Sequence, residues 1–186
     1  PPQNTISNSV GIPFLRVNNL GFDSKLHFEN GLIFVNDGTH QSFLSRSRVY
    51  PQDILMNIVG PPLGKISVVP DTYPQYNINQ AILIYRIDTE KVAIDFFLQY
   101  LMSVGAQKWF DKRAKKTSGQ KNLTIELGKE VPVPLPPKPE QLKIALILNS
   151  ISNKISCQKQ KLHQTQSLKK SLMQDLLTGK VRVTVN

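Results

Sequence analysis

The sequence predicts a mixed α+β globular domain followed by one long α-helix. Three observations lead to this prediction. Hydrophobic residues make up 40% of the 186 residues, enough to form a core. Short apolar runs bounded by Gly, Pro and Asn recur through the first hundred or so residues, as expected of strands. A helical apolar stripe, with residues recurring mostly at steps of three and four, then extends from Pro139 to about Leu177.

The first half of the chain contains most of the predicted strands. Residues 60–64 (Gly-Pro-Pro-Leu-Gly) are too rigid to be helical and predict a turn between two of them. Residues 41–50 hold arginines among serines and are expected to form an exposed loop or a frayed helix. The run at residues 81–87 is almost continuously apolar, as expected of a strand buried on both faces. The strands are expected at 11–17, 32–35, 53–59, 65–69 and 81–87.

Two helices are predicted in the second half. Residues 92–103 form the first, with Phe96, Phe97, Tyr100 and Leu101 facing the core. The stiff, proline-rich segment 131–137 then leads into the second. Pro139 suits a helix start and Gly179 a helix stop. The apolar residues of this helix, spaced mostly three and four apart, are Ile144, Leu148, Ile151, Ile155, Leu162, Leu168, Leu172 and Leu176.

This second helix is too long to bury its stripe against a small domain. At 1.5 Å per residue, residues 139–177 would span roughly 58 Å. We therefore expect another helix beside it, so that the segment acts as a coiled-coil or docking arm.

Charge is distributed unevenly along the chain. The net charge is +10. Residues 1–104 hold 7 Lys/Arg and 8 Asp/Glu, giving −1, whereas residues 105–186 hold 16 and 5, giving +11. Such asymmetry favours a polyanionic partner such as nucleic acid, although a solvated helix surface accounts for part of the excess.

Several classes of site are disfavoured. The single cysteine excludes an intramolecular disulfide and fits a reducing compartment, and no apolar run approaches a membrane span. The sequence around Gly60–Lys65 lacks the spacing and the Ser/Thr of a phosphate loop. The histidines and acids are too scattered for a metal site or a nuclease carboxylate cluster. No catalytic motif is recognisable.

One basic stretch, residues 107–123, remains as a candidate site. Lys and Arg neutralise phosphates, and Arg, Lys, Gln and Asn carry donors that read base edges in a major groove. Three cations from earlier loops are expected to extend this surface; the alternative is a charged helix ending in a turn. The predicted DNA-binding residues are Arg46, Arg48, Lys65, Lys108, Lys112, Arg113, Lys115, Lys116, Ser118, Gln120, Lys121 and Asn122.

Together these segments resemble the DNA-specificity subunit of type I restriction–modification systems. The resemblance covers nearly the whole chain, and the proline-rich step before the long helix is its most specific part. It is carried by residues 11–18, 50–60, 79–81, 118–123, 133–141 and 171–183.

The resemblance implies a target recognition domain at 1–135, a helical conserved region at 136–178 and a C-terminal tail at 179–186. It implies a non-enzymatic subunit that reads one half of a bipartite duplex sequence, in cytoplasmic bacterial defence. Its long helix would pair as an antiparallel coiled coil with that of a second specificity half, in the same chain or in a homodimer. Methylation and restriction subunits would dock on this assembly. Methyl donor and ATP would belong to those partners, so no cofactor and no metal are expected here.

Two other readings stay open at this stage. In the first alternative, the chain is a basic coiled-coil scaffold that binds an acidic protein and not DNA. It is also compatible with a non-catalytic fragment of a larger DNA-modifying enzyme. Competition by duplex DNA and the salt dependence of binding distinguish the first alternative, and assays with Mg²⁺ or a methyl donor distinguish the second.

Overall fold

The computed structural model describes residue 1 and residues 3–7, 9–117 and 119–184. They fall into two compact units, one over Pro1–Leu142 and a second from Lys143 onward. The strands are β1 (Ile6–Ser7), β2 (Ile12–Leu15), β3 (Ile33–Val35), β4 (Arg48–Val49), β5 (Ile54–Asn57), β6 (Ile66–Val68), β7 (Tyr76–Ile78), β8 (Ile82–Tyr85), β9 (Lys115–Thr117) and β10 (Gln120–Asn122). The α-helices are α1 (Asp37–Gln41), α2 (Ile94–Met102), α3 (Val104–Arg113), α4 (Ile125–Lys129) and α5 (Lys138–Leu177). The mixed α/β class with a long C-terminal helix is therefore confirmed.

A five-stranded sheet has the order β1-β3-β2-β7-β4. Strands β2 and β7 are parallel, and the other neighbours are antiparallel. Its inner side chains, including Leu15, Val49 and Tyr76, belong to a central apolar cluster. Phe14 and Val35 point the other way and pack with Leu44.

A three-stranded antiparallel sheet, in the order β6-β5-β8, lies between two apolar clusters. Leu55 and Ile82 belong to the central cluster, whereas Met56 and Leu83 belong to a second cluster on the opposite face. The run at 81–87 is almost continuously apolar because alternate residues enter different cores.

Helices α2 and α3 cover the second cluster. Phe97, Leu101 and Phe110 are buried in it. The predicted helix at 92–103 stops at Met102, because the Ser103 side chain accepts a hydrogen bond from the Ala106 N–H and so caps a new helix, α3.

The long helix α5 is continuous over 40 residues. Its first turn is anchored in the globular unit by Gln141, which is 1% exposed. The Gln141 amide nitrogen donates to the carbonyls of Lys91 (3.1 Å) and Pro136 (2.8 Å), and its oxygen accepts from the Ala93 N–H (2.9 Å). No helix among the described residues combines the length and apolar character needed to cross a bilayer.

Some elements differ from the prediction. Residues 41–50 are more ordered than a loop: α1 ends at Gln41, a 3-10 turn covers Ser45–Ser47, and β4 follows. Strand β7 was not predicted, because its central residue is the polar Asn77, a type depleted in strands. Asn77 is nevertheless fully buried, since its side chain is hydrogen-bonded on all sides.

Candidate nucleic-acid interface

The basic stretch folds as the end of α3 followed by a two-stranded hairpin. Ala114 leaves the helix in an extended conformation. Strands β9 and β10 then pair antiparallel, with Lys116 opposite Lys121 and Lys115 opposite Asn122. Gly119, at φ +82°, supplies the left-handed turn position that favours glycine. Ser118 lies outside the described residues. We call β9, β10 and their turn the basic hairpin.

Strand β10 fixes the basic hairpin to the globular unit. The Leu123 N–H donates to the Ile58 carbonyl (2.8 Å), and the Gly60 N–H donates to the Lys121 carbonyl (3.0 Å). Leu123 is itself buried in the second apolar cluster. The hairpin is thus an extension from the end of β5, although its own residues contribute little to the core.

Like charges face each other across the basic hairpin. Lys116 is exposed, and its direct cross-strand neighbour is Lys121. Like charges in this register destabilise a hairpin. The Lys121 ammonium is partly neutralised by a salt bridge to Asp111, whereas the exposed Lys112, Lys115 and Lys116 take part in no ion pair among the described residues. A bound polyanion would relieve this repulsion.

Arg113 is held in place by Trp109. The Arg113 guanidinium carbon lies 3.9 Å from the Trp109 ring centroid, in a cation–π contact. Trp109 in turn meets the buried Phe110 edge to face, with 5.5 Å between ring centroids. One face of the indole is therefore already occupied by Arg113, which is oriented at the point where α3 passes into the basic hairpin.

Lys65 and Lys108 lie on two elements in contact. The Gln107 amide nitrogen donates to the carbonyls of Gly64 (3.2 Å) and Leu101 (2.9 Å), which places the 60–64 turn against α3. Lys65 is partly buried and Lys108 is exposed. The structure thus brings these two predicted residues onto neighbouring elements.

Arg46 and Arg48 belong to a different part of the domain: Arg46 lies in the 3-10 turn before β4, and Arg48 begins β4 at the edge of the five-stranded sheet. An Arg48 guanidinium nitrogen donates to the Gln41 side-chain oxygen (2.6 Å). Arg46 is exposed and lines a cleft together with Gln80 and Lys129. The structure therefore does not join all the predicted residues into one group.

Two predicted polar residues differ in accessibility. Gln120 is exposed on the basic hairpin. Asn122 is partly buried, and its side-chain oxygen has no hydrogen-bond partner among the described residues. The same described residues contain no cluster of three His, Cys, Asp or Glu side chains suited to a metal ion.

Several potential contact residues were missed by sequence reasoning. Phe43, Asn79, Gln80 and Lys129 line the cleft with Arg46. The signals available in the sequence were the aromatic Phe43 in the serine- and arginine-rich loop, and the place of Asn79 and Gln80 in the segment 79–81 that carries the family resemblance. Nothing local in the sequence connects Lys129 to that loop.

Two curated proteins are related to the chain in sequence. It is 28% identical over 185 residues to the "Type I restriction enzyme MjaVIII specificity subunit" of Methanocaldococcus jannaschii, with 93% of this chain and 40% of that protein covered. It is 27% identical to the same organism's "Putative type I restriction enzyme MjaX specificity subunit", with 92% and 40% covered. The chain thus spans about 40% of the length of these curated relatives.

Solved structures agree with this result at the level of the fold. The HsdS subunit from Thermoanaerobacter tengcongensis matches with a TM-score of 0.67 at 16% identity, covering 90% of this chain and 42% of that one. A chain from a study of type I R-M complex assembly and conformational transition matches with a TM-score of 0.70 at 20% identity, covering 94% and 39%.

The family described as "Type I restriction modification DNA specificity domain" matches residues 1–166. The chain therefore belongs to the family of type I restriction–modification DNA specificity domains.

Proposed function

We propose that this chain recognises one half of a bipartite sequence in double-stranded DNA, as a specificity module of a type I restriction–modification complex. The observation that carries the proposal is the basic hairpin. It is anchored to the fold of a DNA specificity domain, and it holds Lys116 and Lys121 in direct opposition. The folded domain alone gains nothing from that arrangement, whereas a phosphate backbone would neutralise it.

The hairpin has a shape that suits duplex DNA. A major groove admits a two-stranded β-ribbon as well as an α-helix. In this mechanism the exposed Lys112, Lys115 and Lys116 contact phosphates and set the register on the duplex. Gln120 is exposed on the same ribbon, and its amide suits the edge of an adenine.

The long helix supplies the second part of the proposal. Its apolar stripe is exposed along the single chain; Leu148 is 39% and Ile155 50% exposed, for example. A stripe of this kind stabilises a helix only when a second helix covers it. We assign this role to the helix of a second specificity half, in antiparallel orientation, so that two recognition domains are held at a fixed separation. Methylation and restriction subunits dock on this assembly and carry out the chemistry.

The test is a charge reversal with a matched control. Lys112, Lys115 and Lys116 are each replaced by Glu, and Arg113 is left intact because it packs on Trp109. The control replaces Lys154, Lys159 and Lys161, three exposed lysines of α5, by Glu, with the same change in net charge. Binding to a pool of 30-base-pair duplexes is measured by fluorescence anisotropy over a range of salt concentrations.

The hairpin variant is expected to lose most of its affinity. Its log–log salt slope should become shallower by about 2.7, because each lost phosphate contact contributes about 0.9. The control should retain both affinity and slope, and melting curves should show that both variants are folded. Equal losses in the two variants would reduce the effect to net charge, and unchanged binding in the hairpin variant would refute this contact surface.

A further inference from the structure

A cleft of about 620 Å³ opens on the globular unit, and none of the described residues of the basic hairpin lines it. Its walls come from the loop after α1, the turn between β7 and β8, and helix α4. Its floor is apolar and includes Phe14, Leu44 and Ile82. The residues that carry the inference are Phe43, Arg46, Asn79, Gln80, Ile125 and Lys129.

The rim of the cleft is basic and polar. Arg46, Lys129 and Gln80 are all exposed. None of the described residues that line the cleft is acidic. The Asn79 side-chain oxygen is buried in its wall without a hydrogen-bond partner among those residues. The cleft therefore offers positive charge and amide groups, the chemistry that binds a phosphate backbone and base edges.

The loop that carries Arg46 is held in position by a buried network. The Asn77 amide nitrogen donates to the Leu44 carbonyl (3.0 Å) and to the Ser47 hydroxyl (3.1 Å). The Asn77 oxygen therefore faces His40, whose Nδ1 donates to it at 2.6 Å. His40 is 1% exposed. Arg46 projects from a turn that is fixed on both sides, so little backbone conformational entropy is lost on binding.

An exposed aromatic side chain lies beside these cations. Phe43 is 70% exposed, although it is a large apolar residue in an ordered loop. Ile125, on the other side of the cleft, is 42% exposed. Apolar groups flanking cations suit the deoxyribose and thymine-methyl surfaces of DNA. An acidic protein segment is the rival occupant, but it would leave the exposed Gln80 amide without a specific role.

We propose that this cleft is a second DNA contact site, separate from the basic hairpin. Arg46 and Lys129 bind phosphates of one strand, and Gln80 reads a base edge. Phe43 packs against the sugar–base surface next to them. This inference rests on the proposed function, because it assigns a further specificity-determining surface to the same recognition domain.

The test uses the full chain and the same pool of duplexes, with a randomised central segment. Arg46→Ala combined with Lys129→Ala is expected to weaken binding across all sequences and to make the salt slope shallower by about 1.8. Gln80→Ala is expected to leave the salt slope unchanged and to relax the base preference at one position of the sequences enriched from the pool. The matched control is Lys25→Ala with Lys91→Ala, two exposed lysines that do not line the cleft.

The outcomes separate this inference from the proposed function. If the hairpin reversal removes binding but the cleft double variant behaves like its lysine control, the cleft is not a DNA site and the recognition function stands. If Gln80→Ala enriches the same sequences as the unaltered chain, base reading by Gln80 is refuted. Absence of DNA binding by the unaltered chain would overturn both proposals.

Discussion

At the scale of single residues, Gln141 shows how one side chain fastens an element to a domain. It is 1% exposed and makes three hydrogen bonds to backbone groups of 91, 93 and 136. Replacing it by Ala would leave these buried groups unpaired, and each unsatisfied group costs about 1–3 kcal/mol. We therefore expect Gln141→Ala to lower the free energy of unfolding by at least about 2 kcal/mol in urea titrations.

The control for this prediction is Gln160→Ala. Gln160 is an exposed residue of the same helix, where substitutions change stability by less than about 0.5 kcal/mol. Equal, small effects at the two positions would show that the Gln141 hydrogen bonds contribute nothing net.

His27 gives stability a dependence on pH. Its Nε2 lies 3.0 Å from an Asp23 oxygen and its Nδ1 2.8 Å from a Glu29 oxygen. The hydrogen bond with Asp23, followed by that with Glu29, raises the pKa of His27 above its ordinary value. The stabilisation is fully present below the unfolded pKa of about 6.5, and it is lost as pH rises through the higher folded pKa.

We expect the unaltered chain to lose stability relative to His27→Gln over the range from about pH 6.5 upward. The effect should be small, because the side chain is partly exposed. Melting temperatures of both proteins across this range test it. A difference between them that does not vary with pH would contradict the role assigned to His27.

At the scale of elements, sequence patterns predicted the apolar strands but not the basic hairpin. Strands β5 and β6 follow apolar runs on either side of the rigid 60–64 turn. Strands β9 and β10 consist mainly of lysine, glutamine and asparagine, which have low strand propensity. They form because Leu123 and Lys121 bond to Ile58 and Gly60, contacts that no local pattern encodes.

The candidate site was likewise predictable only in part from the sequence. The cations of residues 108–121 are conspicuous in the sequence, and the structure leaves most of them exposed. The cleft was not foreseen, because it combines Arg46, Gln80 and Lys129 from three distant segments. Their proximity depends on how β7, β8 and α4 pack.

The repulsion within the basic hairpin makes a prediction in which stability and binding change in opposite directions. Lys116→Glu would place opposite charges across the strands, which stabilises such a pair by about 0.2–1 kcal/mol. The same change removes a proposed phosphate contact. We expect the melting temperature to hold or rise while DNA affinity falls.

Lys129→Glu provides a control. It makes the same change in charge, but on α4, where the residue has no partner across a strand pair. It is expected to weaken binding without raising the melting temperature. A joint loss of stability and affinity in Lys116→Glu would indicate that Lys116 supports the fold itself.

At the scale of the whole molecule, most of the positive charge and most of the buried core come from different parts of the chain. Residues 1–104 carry −1 and residues 105–186 carry +11. The positive charge thus lies on α3, the basic hairpin and α5, whereas the core comes mainly from the first part of the chain. A near-neutral segment that supplies most of the core, followed by a basic one, suits a domain that binds a polyanion through the exposed surface of its second part.

The exposed stripe of α5 makes the last prediction. Burying a Leu or Ile side chain contributes about 1.5–3 kcal/mol, and pairing two copies would bury the stripe residues of both. We therefore expect the chain to associate in solution, with a measured mass greater than the 21.0 kDa of a single chain. Replacing Leu148, Ile155 and Leu162 by Gln, a good helix former, should return it to a monomer in sedimentation equilibrium.

The control replaces Asn153, Gln160 and Ser167 by Ala, on the opposite side of α5, and should associate normally. Helical content should also fall on dilution in the unaltered chain, because an isolated helix of this composition loses the contacts that stabilise it. The unaltered chain could instead be monomeric, with a helical circular dichroism signal that does not change with concentration. That result would show that the stripe needs no second copy of this chain. The partner would then have to be a different helix, such as that of the other specificity half in a longer subunit.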